Sequence, residues 1–150
     1  MRTELKIQFF RSTVESVLLY GSESWTLTKK MEKRLDGNYT RLLKKGKNIT
    51  WKEKKTNEEL YGNLGCISNV IRTRRLRFIG HVWRLPEETL HRPLLWDPKQ
   101  GRRSRGRPRA TFMEQVHRYT NLTKEELATA MQDREEWRRI VKEVRVRSNR

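Results

Sequence analysis

Arg102, Arg103, Arg105, Arg107 and Arg109 crowd into the stretch GRRSRGRPRAT (residues 101–111), with no acid among them. A guanidinium is a planar, permanently charged fork of donors that matches phosphate oxygens. Pro108 favours an extended backbone and Gly106 permits close approach, so the segment should lay its arginines along a polyanion. Its core, Arg105-Gly106-Arg107-Pro108, also fits an AT-hook, which follows a narrow, strongly negative minor groove. A second set, Arg74, Arg77, His81 and Arg84, recurs at three- and four-residue intervals. On a helix these residues share a face that could touch phosphates. The plain alternative for both sets is a solvated basic surface, with the second set paired to acids such as Glu87 or Glu88.

No other chemistry stands out. Cys66, His81, His91 and His117 have no ligand spacing, and a single cysteine excludes an intramolecular disulfide. No paired carboxylates follow an apolar strand, as a two-metal site would need. There is no glycine-rich phosphate loop and no nucleophile elbow. The expectation is therefore no catalytic residue, no metal and no cofactor. The tryptophans at 25, 51, 83, 96 and 137 could stack on unpaired bases, but their helical spacing suits a small core better.

The elements that must position these residues read as helices. Residues 3–20, TELKIQFFRSTVESVLLY, place Leu5, Phe9, Phe10, Thr13, Val17 and Tyr20 near helical spacing. After a turn at GSES, Met31, Leu35, Tyr39, Leu42 and Leu43 predict an amphipathic helix that stops at Gly46. Gly37 weakens its middle by roughly 1 kcal/mol relative to alanine. Thr50 with Glu53 and Thr56 with Glu59 fit capping boxes. Ser68 can cap the next helix, in which Ile71, Phe78, Val82 and Leu85 share a face widened by Leu76, Ile79 and Trp83. Pro86 ends it. Residues 86–110 hold all four prolines and read as an extended linker, with a short strand around PLLW. Beyond it, Thr111 with Glu114, Thr123 with Glu126, and Asp133 with Glu136 start three more helices. Leu122 can staple onto Leu127, and Trp137, Ile140, Val141 and Val144 form the last apolar stripe. The predicted fold is mainly α: a small helical bundle over 1–85, a basic Pro/Arg-rich linker over 86–110, and a C-terminal helical segment over 111–150.

At the scale of the chain, 150 residues with 34% hydrophobic and 35% charged content can build only a modest core. The net charge of +17 repels itself, and a polyanion relieves that repulsion. Twelve Lys/Arg against three Asp/Glu between Arg72 and Arg109 put +9 of it in a quarter of the chain. Nucleic acid fits this better than membrane, since no run of about 18 apolar residues occurs and the arginines gather around Gly and Pro. No small-molecule substrate is expected. The N-terminus lacks the apolar core of a signal peptide. The chain therefore reads as intracellular and nuclear, and the sequons at Asn38, Asn48 and Asn121 read as chance matches.

Four blocks carry a resemblance: LLYGSESWTLTKKMEKRLD (18–36), RRLRFIGHVWRL (74–85), GRRSRGRPRATF (101–112) and MQDREEWRRIV (131–141). In this order and at these distances they resemble the C-terminal region of a LINE-type (non-LTR) retrotransposon endonuclease–reverse transcriptase, the thumb and the tail beyond it. The resemblance implies part of an RNA-directed DNA polymerase, with a thumb-like region over 1–85. The helix 68–85 and the linker 99–110 would then hold RNA, an RNA–DNA hybrid or duplex DNA by its phosphates. The family's endonuclease and palm motifs are missing here, as is the Cys/His knuckle of some related elements. No catalytic residue carries over, and this chain alone is not expected to be an enzyme. Two further readings stay open: an independent AT-hook-like DNA-binding module, and a decayed element fragment without function.

Overall fold

Threonine and glutamate set where many of the helices begin. In the computed structural model, which describes residues 3–25, 27–86 and 111–147, the hydroxyls of Thr56, Thr111 and Thr123 accept from the amides of Glu59, Glu114 and Glu126. Each glutamate reaches back to its threonine N–H, which satisfies two orphan donors at once. Thr50 and Glu53 form the same box. Every regular element among the described residues is helical, so the fold is mainly α. In chain order these are α1 (Thr3–Phe10), a π turn (Arg11–Glu15), α2 (Ser16–Leu18), α3 (Lys29–Gly46), α4 (Asn57–Tyr61), α5 (Ile67–Trp83), α6 (Phe112–Thr120), α7 (Lys124–Gln132) and α8 (Arg134–Arg147), with single 3-10 turns at Ser22–Ser24, Trp51–Glu53 and Gly62–Leu64. Most of the expected linker, with its strand around PLLW, lies outside the described residues.

The chain forms two compact units that divide between Arg74 and Arg75, inside α5. Leu76 and Ile79 pack with Val116, Leu127, Met131 and Trp137. Residues 75–85 thus belong with the C-terminal helices.

In the first unit, Phe10, Leu19, Tyr39, Leu43, Leu60, Ile67 and Ile71 build the core. Helix formation near the N-terminus is as expected, but its buried face differs. Phe10 is buried, whereas Leu5, Phe9, Val17 and Tyr20 are exposed. The π turn contributes to this. Ser12 and Thr13 donate to the Phe9 carbonyl and Ser16 to that of Ser12, a back-bonding that competes with the α-helical ladder. The extra residue of a π turn rotates the residues after it by about 100°, and Glu15 and Leu19 end up inside. Tyr39 O–H donates to Glu15 Oε2 across 3.2 Å in this buried setting.

Helix α3 buries Tyr39 and Leu43 but leaves Met31 and Leu42 exposed, because the core covers only one side of the expected stripe. Gly46 does more than stop the helix: a Cβ there would lie 3.3 Å from the Phe10 ring. The cap of α5 also differs from expectation. The helix starts at Ile67, and its first turn is held from α3: Asp36 accepts the Ser68 amide at 3.0 Å and the Ser68 hydroxyl at 2.9 Å. A carboxylate at a helix N-terminus meets both orphan amides and the helix dipole.

In the second unit the fixed point is Gly80. A Cβ built there would overlap the indole nitrogen of Trp137. The bare glycine lets that ring reach the α5 backbone, where Trp137 Nε1–H donates to the Leu76 carbonyl at 2.8 Å. Phe78, expected in the core, is 37% exposed, and Arg75 is buried instead. The Arg75 guanidinium stacks 4.4 Å from the Phe112 ring centroid and donates to Gln115 Oε1 and the Tyr119 hydroxyl. A ring face and neutral acceptors make this burial tolerable. Asp133 caps α8 through the amides of Glu135 and Glu136, and the Glu136 carboxylate pairs with Arg139 at 2.7 Å rather than turning back. Trp137 is buried, while Trp25 and Trp83 are half-buried against the cores of the first and second unit respectively.

Candidate functional site

The four expected residues of α5 and its end have different surroundings. Arg74, in the first unit, is half-buried. It donates to the Leu19 carbonyl at 3.2 Å and pairs with Glu23 at 3.8 Å. The other three lie in the second unit. Arg77 and His81 are exposed. Arg84 is half-buried and donates to the Met131 carbonyl at 2.7 Å, at the end of α7. Arg102, Arg103, Arg105, Arg107 and Arg109 lie outside the described residues.

Around Gly80, Arg84, Arg77 and His81 fall at about 40°, 60° and 100° on the α5 wheel. They flank the line where Trp137 meets the helix. Helix α8 carries a matching flank that residue spacing alone does not single out. Arg134, Arg145, Arg138 and Lys142 fall at about 60°, 80°, 100° and 140° from Trp137. All four are exposed, and none forms an ion pair among the described residues. Glu135 borders this stripe, while Glu136 and Glu143 lie at about 240–260°, on the far side. The spacing i, i+4, i+8, i+11 is visible in the sequence. Its significance is not, because it depends on which way Trp137 points.

The two flanks approach each other at Arg84. Burial, with Arg134 and Arg138 close enough to repel it, lowers the affinity of the Arg84 guanidinium for its proton relative to an ordinary arginine. Like charges held together without a carboxylate form a ready anion site. Four acids of this unit, Glu125, Glu126, Asp133 and Glu136, line a shallow depression of about 600 Å3.

The remaining candidate ligands are dispersed. His117 is half-buried, with Nδ1 2.8 Å from the Leu122 carbonyl oxygen, and Cys66 Sγ lies 3.3 Å from Ser68 Oγ. Among the described residues no three His, Cys, Asp or Glu side chains come together as a metal would require, and no helix is long and apolar enough to cross a membrane.

Fold and site together define a small, mainly α-helical chain whose second unit carries arginines that form no ion pair among the described residues. No protein-family model, curated protein or solved structure matches the chain.

Proposed function

We propose that this chain is a nucleic-acid-binding, C-terminal part of a LINE-type reverse transcriptase. It holds template–primer or target DNA through backbone phosphates and has no polymerase or endonuclease site of its own. The observation that carries the reading is the cationic surface of the second unit: Arg84 with Arg134 and Arg138 close by, and Arg77, His81, Lys142 and Arg145 exposed on the same two helices, none of them ion-paired among the described residues. The four resembling sequence blocks and the arginine segment 102–109 add to it. The planar arginine fork is pre-organised for phosphate, so it loses less freedom per hydrogen bond than a lysine would. Such contacts position a duplex without reading its bases.

The test is a salt titration of the full chain on four labelled ligands of equal length: RNA–DNA hybrid, single-stranded RNA, AT-rich duplex and GC-rich duplex. Each phosphate contact should contribute about −0.9 to the slope of log K against log[salt] on duplex DNA. Arg134→Gln with Arg138→Gln should therefore flatten the slope by about 2. Unchanged affinity and slope on all four ligands would remove this face from the reading. A strong AT preference that persists in salt would instead favour minor-groove recognition by Arg105-Gly106-Arg107-Pro108.

A further inference from the structure

Helix α3 carries a second unneutralised ridge, on the first unit. Lys30, Arg34, Arg41 and Lys45 fall within an arc of about 60° and span about 22 Å of helix. All four are exposed, and none forms an ion pair among the described residues. The acids of α3 are committed elsewhere. Glu32 pairs with Arg72 at 3.1 Å, and Asp36 caps α5. Nothing acidic on α3 remains to balance the ridge.

Midway along it stands Gly37. Glycine weakens a helix, and neither of the usual reasons for tolerating it applies here. Its φ is not positive, and a Cβ would meet nothing within 4 Å. Packing and backbone would both accept a larger residue. What a larger side chain would obstruct is the outer surface, between Arg34 and Arg41. Just beyond, Asn38, Arg41, Leu42, Lys44 and Lys45 line a shallow cavity of about 500 Å3. A bare stretch of helix with cations on either side permits close approach of a polyanionic backbone. The arc has no aromatic side chain on which an unpaired base could stack, which favours a duplex over a single strand.

We propose that the backbone of a nucleic-acid duplex crosses α3 at Gly37, between Lys30 and Arg34 on one side and Arg41 and Lys45 on the other. The inference rests on the nucleic-acid reading above and adds a contact surface on the other unit.

The decisive variant is Gly37→Leu in the full chain, which leaves every charge in place. Urea unfolding should show a helix at least as stable as in the wild type, since leucine is the better helix former. Affinity for a labelled duplex should nevertheless fall about tenfold, equivalent to about 1.4 kcal/mol. Arg34→Gln with Arg41→Gln should flatten the duplex salt slope by about 2. Wild-type affinity in Gly37→Leu would overturn the crossing, as would tighter binding of a single strand at the ridge. If only Arg134→Gln and Arg138→Gln weaken binding, the ridge proposal fails and the general reading stands. If the wild-type chain binds no nucleic acid, both fail.

Discussion

Tyr39 and Glu15 show how a buried pair of residues ties stability to pH. Burial first, and the neighbouring Glu15 charge second, push the Tyr39 phenol well above its ordinary value of 10.0. The folded chain keeps this proton at a pH where the unfolded chain loses it. Its stabilising contribution is therefore complete below about pH 10 and declines as pH rises above it. Tyr39→Phe should flatten the alkaline limb of a urea-midpoint profile, and a variant as alkali-sensitive as the wild type would refute the assignment. Residue-scale detail of this kind is hard to read from sequence. Glu15 looks like a polar position on a surface helix, and only the π turn carries it inside. Arg75 looks like one more cation in a basic run, yet its place is set by Phe112, Gln115 and Tyr119, about forty residues away. The threonine caps are legible because a capping box is complete within four residues.

Between elements, the crossing of α5 and α8 depends on one missing side chain. Gly80 sits under the Trp137 indole, which donates to the Leu76 carbonyl. Gly80→Ala improves helix propensity, but the added methyl must push that ring away. Overpacking at such a contact should cost about 1–3 kcal/mol, read as a lower urea midpoint with loss of the buried-tryptophan fluorescence. A midpoint equal to or above the wild type would mean that the ring has room to shift. The existence and type of the main helices are plain in their apolar spacing. Which face each one buries is less plain. Helix α3 has apolar residues over a wider arc than its core covers, and α5 changes partners midway. The basic flank of α8 is equally hidden, since four cations at helical spacing form a common surface until Trp137 fixes their direction.

For the molecule as a whole, the charge excess is the clearest message of the sequence, and it has a bearing on colloidal behaviour. Phe9, Val17 and Tyr20 are 63%, 78% and 86% exposed, with Leu5 beside them, so an apolar strip faces solvent on a chain of net charge +17. At low ionic strength, mutual repulsion reaches across about 30 Å and keeps such strips apart; at 1 M salt it reaches only about 3 Å. Added salt should therefore thicken the solution into clusters rather than clarify it, the reverse of ordinary salting-in. Light scattering should rise with salt in the wild type and stay low in Phe9→Ser with Val17→Ser, whereas scattering that is flat in both would show that the strip does not stick. The same neutralisation occurs when polyanion is added near charge balance, so the ratio at which the two are mixed governs whether the solution stays clear.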